Sequence, residues 1–412
     1  MRWDKDIALD AEKVCPAGEF DAAEILARRA QPPFTEQALA FIADFSAEIL
    51  KNPELRRHPE IVALGFWMRR ANVARLKASF EAAFGGRLLV GRGLAFHIAP
   101  ANVDTMFIYS LFLALLAGNT NIVRISTKSN EQMAGLIGLL SKVLERHADM
   151  AKRLLVVRYG HDDKLTAFFS GVCNLRIIWG GDETIRRIRA AALPPHASEL
   201  AFSGKFSVAA LDAGAWNAAS ATEQARVARL FANDSFAFNQ QGCASPKLVY
   251  WRGADAEVEK AREGFWPLVE REAGGMPFTL DAADIMDRFV AVCSTAVEWE
   301  RGLEKYEARS HAFVRLKAQC LADVRRELNT GNGMFYEYAG RALDDLLDWF
   351  GDNDQTISSY GITIDDWRAG MLRRLPKGIC RIVPIGRALE FSPVWDGHDL
   401  LRAMCREITL EV

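Results

Sequence analysis

The sequence predicts an α/β protein in which a doubly wound parallel sheet forms a cofactor domain and a second α/β domain carries the chemistry. Two observations predict it. From about residue 90 onward, short apolar segments alternate with amphipathic segments of helical length. The chain is 412 residues long, half of them hydrophobic and a quarter charged, enough for more than one core in an ordinary water-soluble composition.

Residues 1–90 read as a helical segment packing on the cofactor domain. Thr35 can cap the apolar periodicity of TEQALAFIADFSAEILKN, and Gly85-Gly86 can stop WMRRANVARLKASFEAAFGG. Residues 91–212 read as a dinucleotide-binding domain. Its expected strands are GLAFHIAP (93–100), NIVRIS (121–126), RLLVVRYG (153–160), NLRIIWG (174–180) and KFSVAALD (205–212), with helices between them. Residues 213–378 are expected to form a catalytic cysteine domain, with helices at 221–232, 255–271 and 311–329 and a strand in CASPKLVYW (243–251). Residues 379–412 are expected to return to the cofactor or oligomerisation region.

Several classes are disfavoured. The net charge is -2 and no long basic run occurs, so binding to nucleic acid or an anionic membrane is not expected. The most lipid-like run, Met106 to Gly118, is shorter than the roughly 18 to 20 residues of a membrane span, and a buried helix accounts for it better. The charged start lacks the apolar stretch of a signal peptide. Seven scattered cysteines without a CxxC predict neither a zinc site nor a disulfide framework, and with them a cytoplasmic protein holding no metal.

Parallel sheets bind ligands beyond the carboxyl ends of their strands, which directs attention to three places. After Pro100, the side-chain amide of Asn102 can hold a developing oxyanion, or simply cap the next helix. In VRISTKS, Arg124, Ser126, Thr127 and Lys128 form either a phosphate cradle or a solvated loop. Gly180 and Gly181 lie between a strand and a helix N-terminus, where a pyrophosphate meets backbone N–H groups, although GxGxxG is absent. A fourth place is FNQQGCASPK, where Cys243 stands among amides, a glycine and a turn-prone Ser-Pro. Either this is an ordinary loop, or it exists to present the thiol. His97, inside the first strand, reads as a satisfied core histidine.

In order along the chain, Pro100-Ala101-Asn102, AGNTNIVRIS, Gln241 with Cys243, CASPKLVYW, DNDQTISSYG (352–361) and GICRIVPIGRALEFSPVWDG (378–397) resemble the aldehyde dehydrogenase superfamily, and within it the LuxC-type acyl-CoA reductases. The resemblance implies an aldehyde-dehydrogenase-like fold. It also implies NADPH-dependent reduction of a fatty acyl-CoA or acyl-protein thioester through an acyl group on Cys243. Asn102 and the Cys243 backbone N–H would be the oxyanion donors, with Gln241 beside the nucleophile. It further implies a homo-oligomer, and an acyl-protein synthetase as a partner. The position of the water-activating glutamate of hydrolytic relatives falls on Ala201, with Glu199 two residues early, so an acyl-cysteine would resist water. Thr127 stands near the usual ribose carboxylate, and Arg124 and Lys128 favour NADP over NAD. The competing readings are an aldehyde-oxidising dehydrogenase, a cysteine acyltransferase without redox chemistry, and a non-catalytic partner subunit.

Overall fold

The computed structural model describes residues 11–16, 22–100, 103–128, 131–276, 280–299, 306–307 and 312–411. The chain divides into two compact units, Met1–Ser203 with Phe391–Val412, and Gly204–Glu390.

The first unit is built on strands β1 (Glu12–Cys15), β2 (Leu88–Gly91), β3 (Leu94–Ile98), β4 (Thr120–Ile125), β5 (Leu154–Arg158), β6 (Leu175–Trp179) and β7 (Ser198–Phe202). Six of them form one sheet in the order β1-β5-β4-β3-β6-β7, parallel except for β1 at its edge. The chain runs outward from β3 through β4 to β5, then crosses to β6 on the other side of β3, which is the reversal of a doubly wound sheet. Strands β3 and β6 are buried at every position, as in a parallel sheet covered on both faces, with His97 and Arg176 as their polar members. The lipid-like run forms the helix Met106–Leu116, buried at every residue in the core of this unit. Among the described residues, no helix is long and apolar enough to cross a membrane.

The second unit holds β8 (Phe206–Asp212), β9 (Pro246–Arg252), β10 (Tyr306–Glu307), β11 (Val314–Lys317), β12 (Met334–Gly340), β13 (Asp354–Tyr360) and β14 (Arg381–Pro384). Their order is β10-β11-β12-β9-β8-β13-β14, and all neighbours are parallel except β10 on β11. This corrects the expected fifth strand of the cofactor sheet. KFSVAALD is instead an inner strand of the second sheet, paired with β9 on one side and β13 on the other. A boundary drawn at residue 212 therefore moves back to residue 203, and the boundary at 378 moves on to 390.

The helix expected at 311–329 is also corrected. Val314, Arg315 and Leu316 are all buried along β11, and two short 3-10 turns follow at Leu321–Asp323 and Arg326–Leu328. Asp323 accepts from the backbone N–H groups of Gln319 and Cys320, and Arg326 makes a two-pronged ion pair with buried Asp354 at 2.9 and 2.8 Å. These side-chain bonds to local backbone and to β13 outcompete a helical ladder. The real helix lies earlier, at Ala282–Glu298, where Asp281 and Asp284 form a reciprocal cap. Trp216, Trp251 and Trp266 are fully buried, so these tryptophans fill a core.

The tail belongs to the first unit. There β15 (Val394–Trp395) and β16 (His398–Asp399) make a hairpin turned by Asp396 and Gly397, both with positive φ, and β17 (Cys405–Ile408) pairs antiparallel with β2.

Candidate active site

Cys243 is a half-buried thiol just before β9. The chain reaches it through an unusual backbone: Phe238, Asn239 and Gln240 have φ of 54, 53 and 60°, three consecutive left-handed residues, none of them glycine. Each such residue costs on the order of 1 kcal/mol or more, so surrounding contacts must hold the loop. They do. The Asn239 side chain donates to Asp284 Oδ2 at 3.0 Å, and its carbonyl accepts from Asn332 N at 2.7 Å. Buried Gln240 donates to the Pro246 carbonyl at 2.7 Å. Gln241 is exposed and reaches Asn332 Oδ1 at 3.4 Å. Asn332, 1% exposed, also donates to the Asp284 carbonyl, and its own carbonyl accepts from Arg288. Gly331 packs so closely that a Cβ there would lie 3.0 Å from the Gln240 carbonyl oxygen.

On the other side of the loop, Ser207 on β8 donates to the Cys243 carbonyl at 2.7 Å and accepts from Thr356 N at 3.2 Å. The backbone around the thiol is thus fixed by β8, β13, the Gly331–Gly333 turn and the first turn of the helix Ala282–Glu298. Sequence reasoning found Cys243 and Gln241 but not Ser207, Asn239, Asp284 or Asn332. The signal available was the pair of turn-forming stretches FNQQG and NTGNG, whose asparagines tolerate φ > 0.

Two cations, Lys247 and Arg381, lie within electrostatic reach of the thiol. Burial pulls the Lys247 ammonium below its ordinary value, opposed by the negative form of Cys243. Arg381 is likewise lowered by burial, opposed by Glu390, Asp234 and Cys243. Cations beside a thiolate favour the reactive form.

In the first unit, a cavity of about 380 Å3 opens beyond the carboxyl ends of β3, β4 and β5, lined by residues that include Ile98, Arg124, Tyr159, Gly160, Thr184 and Arg187. Arg124 donates from Nε and Nη2 to the Tyr159 and Gly160 carbonyls, both at 3.1 Å, so its fork holds the β5 exit while its charge lines the cavity. Ser126 accepts from Lys128 N at 3.2 Å in a small turn, and Thr127 and Lys128 are exposed; these three lie outside the cavity lining. Gly180 donates to the Phe202 carbonyl, and Gly181 precedes the helix Asp182–Arg189, with open space where a Cβ would be. Glu183, Thr184 and Arg187 of that helix line the same cavity. A helix start, two arginines and a cleft at a topological switch suit the adenosine and phosphates of a dinucleotide. Asp182 and Glu183 in the first helical turn work against an anion there. Tyr159, Thr184 and Arg187 were not legible as site residues, since only the fold gathers them.

Asn102 lies outside the described residues. Glu199 on β7 is held by two arginines, Arg176 from Nε at 2.8 Å and Arg189 from Nε at 2.7 Å, and Ala201 follows it on the same strand. His97 is buried between Ser110 Oγ at 2.8 Å and Asn121 Oδ1 at 3.0 Å, and burial pulls it down to about 4, so it is neutral and structural. His398 is exposed on β16, edge-on to Phe202.

A family model described as acyl-CoA reductase (LuxC) matches residues 71–263, a stretch that includes Asn102, every cofactor candidate and Cys243. No curated protein matches the chain. Among solved structures, it is similar to a 1-pyrroline-5-carboxylate dehydrogenase variant of Thermus thermophilus, with a TM-score of 0.63, 13% identity, and coverage of 90% of this chain and 80% of that one. It is similar to PnpE from Pseudomonas sp. WBC-3 at a TM-score of 0.62 and 14% identity, covering 90% and 83%. A lactaldehyde dehydrogenase gives a TM-score of 0.62 and 16% identity, covering 94% and 87%. At these identities the structural likeness speaks for the fold.

Proposed function

We propose that the chain is an oxidoreductase of the acyl-CoA reductase (LuxC) family on an aldehyde dehydrogenase fold, and that it reduces an acyl thioester to an aldehyde through an acyl group carried on Cys243. The observation that carries this reading is the cysteine loop itself: three left-handed residues held by Asn239, Asn332 and Ser207 leave the thiol half-buried beside two cations. A structural cysteine needs none of this.

The Cys243 thiolate attacks the thioester carbonyl, the carbon–sulfur bond to the donor breaks, and the donor leaves as a thiol. Asn102 and the Cys243 backbone N–H are the proposed donors to the tetrahedral oxyanion, each worth about 3 to 4 kcal/mol of barrier. When bound, a nicotinamide dinucleotide would supply a hydride to the acyl carbon; the carbon–sulfur bond to Cys243 then breaks, releasing the aldehyde and restoring the thiolate. Arg124, Arg187 and the Gly180-Gly181 turn are the proposed cofactor holders, and Lys128 with Arg124 is the reason to propose NADPH over NADH. Glu199, engaged by Arg176 and Arg189, leaves no carboxylate on β7 to activate water, which favours reduction over hydrolysis of the acyl-cysteine. The proposed donor is a fatty acyl-CoA or an acyl group on a partner synthetase, in the cytoplasm, with the enzyme a homo-oligomer.

Single-turnover reduction tests this. Wild type given a medium-to-long acyl-CoA and NADPH should show absorbance loss and, without NADPH, an acyl adduct by mass; Cys243→Ala should show neither. An adduct that never consumes NADPH would instead indicate an acyltransferase, and aldehyde oxidation to free acid would indicate a hydrolytic dehydrogenase.

A further inference from the structure

The helix Ala221–Phe236 ends two residues before the left-handed stretch and buries a carboxyl group that the proposed chemistry does not use. Asp234 is 2% exposed. Its Oδ2 accepts from Gly386 N at 2.6 Å and its Oδ1 from Ala388 N at 3.0 Å. The same short segment is gripped from its carbonyl side: Arg381 donates from Nη1 to Ala388 O at 2.8 Å and from Nη2 to Arg387 O at 2.9 Å. The Ala388 residue is therefore held at its N–H by an acid and at its C=O by a base. Gly386, with φ of 94°, lies so flush on the helix that a Cβ would sit 2.7 Å from Leu230.

This segment bears on the thiol in two ways. Leu389 lies against the residue before the cysteine, since a Cβ on Gly242 would be 3.2 Å from its Cδ2. Arg381, which holds the segment, is one of the two cations within electrostatic reach of Cys243.

We propose that Asp234 is a positioning residue for Cys243: through the backbone of residues 386–389 it seats Leu389 against Gly242, next to the thiol, and holds in place the segment that the Arg381 guanidinium also grips. The proposal rests on the reading of Cys243 as the nucleophile. An ionised carboxylate accepts both N–H groups well, whereas a protonated one gives up an acceptor oxygen to O–H. Desolvation pushes the Asp234 carboxyl up to about 7; the two backbone N–H groups and Arg381 pull it down, and Glu390 at the end of the segment pushes it up. Glu390 is itself ion-paired with Arg387. The two N–H bonds themselves are therefore stronger to the ionised carboxylate, even though burying that charge lowers the stability of the unit as a whole as pH rises.

The test uses the full chain, without substrate. Alkylation of Cys243 by iodoacetamide is followed by peptide mass spectrometry from about pH 6 to pH 8.5, with exposed Cys293 in the same sample as the internal standard. In Asp234→Asn the Cys243 rate relative to Cys293 should fall about threefold or more at the alkaline end, and the difference from wild type should shrink towards the acid end. Equal ratios at every pH in a variant that melts like wild type would overturn the proposal. Should Asp234→Asn not fold, amide exchange in wild type serves instead. Protection of the Gly386 and Ala388 amides, relative to that of Ile357 on β13, should rise through pH 7, and a flat ratio would overturn it equally. Should Cys243→Ala retain acyl reduction, the nucleophile reading fails on its own, while the alkylation and exchange results still decide what Asp234 holds.

Discussion

In the first unit the cavity opens beyond the carboxyl ends of β3, β4 and β5, whereas in the second unit Cys243 precedes β9 and so stands at the amino end of its strand. The two ends offer different raw material. Beyond a carboxyl end, a parallel strand feeds a loop and then a helix start, whose unpaired N–H groups bind anions with little help from side chains. At an amino end no helix start is aimed at the ligand, and the geometry has to be made by particular side chains. Ser207, Asn239, Asp284 and Asn332 do that around Cys243. The second site should accordingly be brittle and the first tolerant.

The sharpest way to break this comparison is a pair of glycine substitutions. Gly331 has a φ of 78°, and a Cβ there meets the Gln240 carbonyl at 3.0 Å. Gly331→Val should displace the cysteine loop and cost about a hundredfold in kcat/KM for acyl reduction, with a lower melting temperature. Gly181→Ala, in open space before the helix Asp182–Arg189, should change KM for the cofactor by less than about threefold. Equal sensitivity at both positions would remove the distinction. Next in size, Asn332→Ala deletes a buried amide that bonds the Gln241 side chain and the Asp284 carbonyl. A loss of about 1 to 3 kcal/mol in stability is expected from urea unfolding, with kcat falling more than KM rises.

The same contrast explains what could be read from the sequence. The strand–helix rhythm of residues 93–189 was legible because its strands are short and mainly apolar and the segments between them have helical length, whereas β7 (Ser198–Phe202) was not expected. Cys243 stood out as a candidate because its thiol lies among amides and turn residues and because the ordered motifs around it resemble the acyl-CoA reductases. Three other features were not legible. KFSVAALD looks the same whichever parallel sheet it joins, since periodicity carries no information about the partner strand. Residues 311–329 have helical composition, and only long-range bonds such as Arg326 to Asp354 decide against a helix. The positions that hold the cysteine loop come from segments scattered between Ser207 and Asn332, and nothing local in NTGNG says which loop it will meet.

The units should also part company with pH. His97 is pulled down from 6.5 to about 4 by burial, so the unfolded chain binds a proton first and the first unit loses stability as pH falls from about 6.5 to 4, by up to about 3 kcal/mol. Asp234 is pushed up from 3.8 to about 7, so here the folded form binds the proton first, and the second unit loses stability as pH rises from about 4 to 7, by a similar amount. Hydrogen exchange read separately on β3 and β8 should show these opposite slopes. His97→Gln should flatten the first slope alone, and Asp234→Asn the second alone. Slopes of the same sign in both units would contradict the burial of one of these groups.

The smallest expected effect tests the tolerant site on its own terms. Lys128 is exposed and outside the cavity lining, while Arg124, which lines it, spends two nitrogens on the Tyr159 and Gly160 carbonyls. If a ribose phosphate of NADPH is what Lys128 serves, the contact is a solvent-exposed ion pair, worth about 0.2 to 1 kcal/mol. Lys128→Ala should then raise KM for NADPH by about two- to fivefold, leave KM for NADH unchanged, and lose its effect in high salt. Arg124→Ala should behave otherwise, because the fork that closes the β5 exit goes with the charge: both cofactors should weaken together, and salt should not hide it. A Lys128 effect as large for NADH as for NADPH would mean that the extra phosphate is not what this loop reads, and the preference for NADP would have to be sought on the helix Asp182–Arg189, where Arg187 faces the cavity beside Glu183.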